Sequence, residues 1–236
     1  MALPKISHPT FELTLPSNGK KIKLRPFLVK EEKVLLMASQ SEDTDEILNS
    51  LKQVISNCII ESDIELDELA TFDIEYIFLK LRSRSVNNII KLRYKDNEDK
   101  KSYDLELNLD DVEVKTFEDH NNKIEINKEI GFTMKYPKVS ITEKLKDAKN
   151  QTDVFFEMLK SSIDIIYEGK NEYNALDSSD EELEEFIQDL DVKTFNKIQK
   201  FYETIPRLYH ELKYTNSLGN ERVVRLETLN DFFTLG

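Results

Sequence analysis

Phe11, Leu13 and Leu15 alternate with polar residues, and Ile22 and Leu24 alternate on the far side of Ser17-Asn18-Gly19-Lys20. A period of two on both sides of an Asn-Gly pair, which accepts positive φ, predicts a β-hairpin. Pro26 has no N–H to give a neighbouring strand, so the return strand stops there and the chain leaves through Phe27-Leu28-Val29 into a helix. The period then changes. Asp43-Thr44-Asp45-Glu46 offers a helix start, and Ile47, Leu48, Leu51, Val54, Ile55, Cys58 and Ile59 fall on one helical face behind it. Thr71 is placed to cap the next helix. There Ile74, Ile77, Phe78 and Leu81 share a face, and Arg82 and Arg84 lie where the dipole favours cations.

The middle third switches to strands. NNIIKLRYKDNEDKKSYDLELNL reads as strand, polar turn, strand, and VEVKTF, KIEI and GFTMKYP as further short strands. Their alternation is that of antiparallel strands with one wet face, so a small antiparallel sheet is expected across 88–136. Helices then return. Phe155, Met158, Leu159, Ser162, Ile163 and Ile166 form a stripe behind a Thr152-Asp153 start, with Gly169 as its end. Ser179 and Glu182 make a capping box ahead of Leu183, Phe186, Ile187 and Leu190. Phe195, Ile198, Phe201, Tyr202 and Ile205 line another helix, stopped before Pro206, and a last hairpin turns at Ser217-Leu218-Gly219-Asn220. No internal repeat of fixed period is present.

The expected class is α+β: an N-terminal hairpin and helices, a central small antiparallel sheet, then C-terminal helices and a terminal hairpin. At 236 residues the chain suits a single α+β unit, with sub-regions 1–87, 88–137 and 138–236.

Charge narrows the partners. The net charge is −13, and it is unevenly placed: residues 1–100 carry 15 basic and 17 acidic side chains, residues 101–236 carry 18 and 29. From Asp177 to Asp191 there are eight acids and no base. Neutralising phosphates is not the business of such a chain, so no nucleic-acid partner is expected. A basic protein surface is electrostatically welcome instead. Cys58 is the only cysteine, which fits a reducing compartment. The N-terminal MALPKISHPT lacks the apolar core of a signal peptide, and no apolar run is long enough for membrane insertion.

Candidate chemistry is thin. There is no phosphate-binding glycine loop, no Gly-x-Ser-x-Gly and no His-Glu-x-x-His. His8, His120 and His210 are far apart in sequence. Asp96-Asn97-Glu98-Asp99 suggests a calcium loop, but Lys101 stands where the loop needs glycine and Leu107 where it needs glutamate. Cys58 lies on an apolar helical stripe, as a structural thiol does. No catalytic residue, cofactor or metal ligand is therefore assigned.

One stretch is more specific than its physics requires. GKKIKLRPFLVKEEKVLL resembles the baseplate hub assembly proteins of T-even-type contractile-tailed bacteriophages, and the resemblance continues in order through LATFDIEYIFLKLRSRSV, DHNNKIEINKEIGFTMKYP, EELEEFIQDL and IQKFYETIPRL. The resemblance implies a non-enzymatic role in virion assembly, as a chaperone of the hub or a permanent subunit of it. Its partners would be other baseplate hub or tail proteins, met in the host cytoplasm during assembly or kept in the virion. A phage enzyme is the weakest alternative, for want of a nucleophile, metal cluster or phosphate loop. Some members carry cysteine pairs in the C-terminal hairpin, like a zinc ribbon. Here that hairpin reads Tyr214-Thr215-Asn216-Ser217-Leu218-Gly219-Asn220, so structural zinc is not expected in it.

The same stretch supplies the candidate contact residues Arg25, Phe27, Leu28, Lys30 and Lys33. Pro26 biases Arg25 toward an extended backbone, which would present its guanidinium beside an aromatic–aliphatic pair, a frequent hot-spot composition. Lys30-Glu31-Glu32-Lys33 reads as an exposed first turn of the following helix. The competing reading is that Phe27 and Leu28 pin the hairpin to the helical core.

Overall fold

The hairpin forms as its pattern requires. Strand β1 (Phe11–Thr14) pairs antiparallel with β2 (Lys21–Leu24) in the register Phe11↔Leu24 and Leu13↔Ile22. Gly19 adopts φ 71° at the turn, and Asn18 Oδ1 accepts the Lys20 N–H at 2.8 Å. Ile22 and Leu24 are buried. This is a computed structural model, and it describes residues 6–38, 40, 44–61, 64–146 and 148–232. Two compact units emerge: Met1–Leu66 with Phe72–Lys115 and Arg207–Gly236, and Asp67–Thr71 with Thr116–Pro206.

In the first unit, α1 (Val29–Ala38) packs on α2 (Thr44–Cys58), and β3 (Ile59–Glu61) returns to the hairpin to complete a sheet of order β1-β2-β3. Leu51, Val54, Ile55 and Cys58 are buried as the stripe predicts, but Ile47 is exposed. Ile59 is a strand residue rather than a helical one, because the helix stops for it to pair with Leu24. The proposed start at Asp43 lies outside the described residues. Helix α3 (Thr71–Ser85) takes Thr71 as its first residue and buries Ile74, Ile77, Phe78 and Leu81.

Strands β4 (Ile89–Lys95) and β5 (Ser102–Asn108) form a two-stranded ribbon. Its wet face carries the cross-strand ion pairs Lys91–Glu106 at 3.6 Å and Arg93–Asp104 at 2.7 Å. Its other face packs Leu92 and Leu107 into a core with Leu79 of α3. Strand β6 (Glu113–Lys115) follows and ends the segment.

The second unit opens with β7 (Lys123–Glu125) and β8 (Ile130–Met134), then α4 (Ile141–Leu145) and α5 (Gln151–Ser162). The expected long helix ends early. Beyond Ser162 the chain extends, and β9 (Ile163–Glu168) turns at Gly169 into β10 (Asn171–Asn174). Ile163 and Ile166 fit a helical stripe on spacing alone, but Ile163-Asp164-Ile165-Ile166-Tyr167 is rich in β-branched residues and finds partners on both sides. The start is Asn150, whose side chain accepts the Asp153 N–H. Helix α6 (Asp180–Gln188) has the predicted capping box of Ser179 and Glu182. Helix α7 (Val192–Glu203) completes the unit, and Ile198 and Phe201 join Phe132, Leu159, Ile163, Leu183 and Ile187 in one core.

The chain then returns to the first unit as β11 (Arg207–Thr215) and β12 (Glu221–Leu226). The strands of 88–136 are antiparallel, but they are shared among three sheets: β4-β5, β12-β11-β6 and β10-β9-β8-β7. Alternation fixes which residues point inward, not which strand lies alongside. The three-residue β6 and β7 are too short to specify a neighbour by themselves. The class is α+β.

Candidate partner-contact site

The junction between β2 and α1 is built around Glu31. Its side chain is 1% exposed, so it is not one of the solvated charges the sequence suggests. Arg25 Nη2 donates to Glu31 Oε1 at 2.9 Å and to the Asn57 carbonyl at 2.8 Å. The Leu28 N–H donates to Glu31 Oε2 at 2.9 Å, while the Leu28 carbonyl accepts the Glu31 and Glu32 N–H groups. Leucine has no side-chain oxygen for the helix start, and Glu31 supplies the reciprocal half of a capping box by reaching back. Burial pushes the Glu31 carboxyl up, but the bonds from Arg25 and the Leu28 N–H outweigh it and hold the group below its ordinary value. The bond to Glu31 raises Arg25.

Arg25 therefore turns inward, contrary to the expected outward guanidinium. The buried carboxylate six residues on captures the charge. Phe27 is buried, and its N–H donates to Ser85 Oγ at 2.9 Å. Leu28 is half-buried. Cys58 lies beside Arg25, with burial pushing its thiol up to about 11, so it stays protonated and unreactive at neutral pH. Outward from the junction stand Val29, Lys30, Lys33 and Met37, which fall on one side of α1. Arg25, Phe27 and Glu31 fix that face; Lys30 and Lys33 lie on it.

A second constellation escaped the sequence. The acidic turn at 96–100 meets the terminal hairpin turn in the first unit. Asp96 is fully buried, accepts the Glu98 and Asp99 N–H groups and the Tyr214 hydroxyl, and pairs with Arg222 at 3.3 Å. Glu98 accepts from Asn216 Nδ2 at 2.7 Å and Asn220 Nδ2 at 2.9 Å. Asp99 accepts the Ser217 N–H at 3.0 Å and the Tyr103 hydroxyl. The Tyr214 bond holds Asp96 below its ordinary value; burial raises Asp99, but its hydrogen bonds win and lower it. These carboxylates are spent on joining two hairpin tips. Among the described residues, no group of three or more His, Cys, Asp or Glu could hold a metal ion, and no helix is long and apolar enough to cross a membrane. The signal that could have linked the tips is the cluster of side-chain amides and hydroxyls at 214–220 facing an acidic turn with no cation of its own at 96–99.

A family model described as T4 bacteriophage base plate protein matches residues 8–234, which takes in the junction, both hairpin tips and both units. The chain belongs to that family. No curated protein and no solved structure matches it. The outward face of α1 carries the apolar Val29 and Met37 and the cationic Lys30 and Lys33.

Proposed function

We propose that this baseplate protein is a hub assembly factor, non-catalytic, that acts by protein–protein contact at the tail tip while the hub forms in the host cytoplasm. The observation that carries the reading is the family match over nearly the whole chain, joined to a contact face whose backbone is fixed from behind. Leu28, Lys30 and Lys33 make the contact, and Arg25 and Phe27 hold the face in place. The partners are other hub or tail proteins. No step of this role calls on a cofactor, nucleic acid or membrane.

The second reading, a permanent structural subunit of the hub, draws on the family description itself, which names the base plate. Quantitative mass spectrometry of purified virions against baseplate intermediates separates the two. An assembly factor is abundant in intermediates and scarce in virions. A fixed copy number in virions equal to that of known hub subunits would replace the first reading with the second.

A further inference from the structure

The outward stripe of α1, Val29, Lys30, Lys33 and Met37, is apolar and cationic. Val29 is 86% exposed and Met37 63%, so two apolar groups flank two exposed cations, of which Lys30 also lies 3.4 Å from the Glu31 carboxylate. The segment around α6 carries the opposite charge. Glu181 and Glu185, one helical turn apart, are exposed, and in sequence the helix is preceded by Leu176 at 78% and followed by Val192 at 75% exposure. Between Asp177 and Asp191 it carries no base.

We infer that the α1 stripe of one molecule docks on the α6 segment of a second copy. Apolar ends meet apolar ends, and Lys30 and Lys33 meet Glu181 and Glu185. The inference rests on reading the α1 stripe as a contact site and names its occupant. Opposite charge selects this pairing over two α1 stripes or two α6 segments face to face, where like charges would stand together. The two patches differ, so the contact is heterologous: a pair leaves one α6 segment free on one molecule and one α1 stripe free on the other, open to further copies. A single helix on a short segment makes a small interface, which places the contact in the weak, concentration-dependent class. The net charge of −13 per copy opposes association. At physiological ionic strength screening acts over about 8 Å, which mutes repulsion between whole molecules more than attraction between touching ion pairs.

Sedimentation velocity of the full chain over a wide concentration range tests this. The parent chain is expected to show a sedimentation coefficient that rises with concentration. Lys30→Glu/Lys33→Glu is expected to stay monomeric, and so is Glu181→Lys/Glu185→Lys, although the latter is less acidic than the parent and would associate more if net charge alone governed. An equimolar mixture of the two variants restores association. A parent chain that remains monomeric at every concentration overturns the inference, with no need of the variants. Association of Glu181→Lys/Glu185→Lys by itself overturns it too. If the parent is monomeric while Lys30→Glu/Lys33→Glu still fails to enter baseplate intermediates, the contact site stands and its occupant is another protein.

Discussion

Arg25 and Glu31 meet at 2.9 Å across the turn that carries the chain from β2 into α1. One carboxylate thereby receives the end of a strand and the start of a helix. Arg25 also reaches the Asn57 carbonyl near the end of α2, so the pair ties three elements of the first unit at one point. Removing one member of a buried pair costs about 3–5 kcal/mol, because the other is left charged and out of water. Arg25 keeps some access to solvent, at 15% exposure, so Arg25→Ala is expected near the lower end, measured by urea denaturation at neutral pH. The pH dependence follows from Glu31 being lowered in the fold. Its contribution is complete above the unfolded value of about 4.3 and is lost as pH falls through the lower folded value. Below that unfolded value the parent is expected to lose stability more steeply than Glu31→Gln. Parallel acid limbs would show that the pair does not set the stability of the turn.

Lys80 makes a half-buried cap of a different kind. From α3 its ammonium donates to the carbonyls of Leu109 at 3.2 Å, Asp110 at 2.9 Å and Val112 at 2.9 Å. Burial lowers Lys80, with Asp110 and Glu113 opposing the shift. Hydrogen bonds to a charged group contribute about 1.5–3 kcal/mol each before the cost of desolvating the ion. Lys80→Met keeps the apolar stem and removes the donors. It is expected to destabilise by roughly 2 kcal/mol and to speed amide exchange at 109–112, a readout that loss of packing elsewhere in α3 would not give.

The α2 stripe separates burial from pattern. Leu51 and Ile47 share a face by spacing, but Leu51 is 9% exposed and Ile47 42%. Leu51→Ala is expected to cost about 2–5 kcal/mol and Ile47→Ala well under 1 kcal/mol. Equal costs in a denaturant titration would mean that Ile47 is covered in solution.

What the sequence disclosed divides along the range of the forces involved. The first hairpin, the Ser179–Glu182 capping box and the Ser217–Asn220 turn are local, decided by residues within four positions of each other, and each stands where it was expected. Strand partnership is not local. Nothing within VEVKTF says that its middle residues will lie beside Arg207–Tyr209. Ile163 and Ile166 suit either period, and long-range pairing with β8 decided for the strand. The proposed contact site shows the same division. That the 24–38 stretch leads from a strand into a helix was visible, but the inward capture of Arg25 depended on Glu31 being buried, which a run of four charged residues conceals. At the hairpin tips, Asp96 and Tyr214 are 118 positions apart, and no spacing rule spans that distance.

His120 gives the second unit a distinct acid response. Thr204 Oγ1 donates to the Lys200 carbonyl at 2.7 Å, so toward His120 Nδ1, 2.9 Å away, it acts as the acceptor. Nδ1 therefore carries the hydrogen, and Nε2 is left as a buried lone pair with no partner among the described residues. The ring stacks on Tyr136 at 5.5 Å and lies 5.1 Å from Phe201. A second proton would place an N–H donor on Nε2 where nothing accepts it. Burial lowers His120; Asp119 beside it opposes the shift, but Asp119 is itself paired with Lys200 at 3.1 Å. The folded state thus holds His120 neutral at a pH where the unfolded chain is already binding a proton. Stability is complete above about pH 6.5 and falls as pH drops below it, until the lower folded value is passed. His120→Phe keeps the stacking and removes the titration. Urea midpoints from about pH 7.5 to about 5.5 are expected to fall further for the parent than for His120→Phe, since other groups titrate alike in both. Parallel profiles would mean that the folded protein accepts the second proton without cost, and the assignment of an unpartnered Nε2 would be wrong.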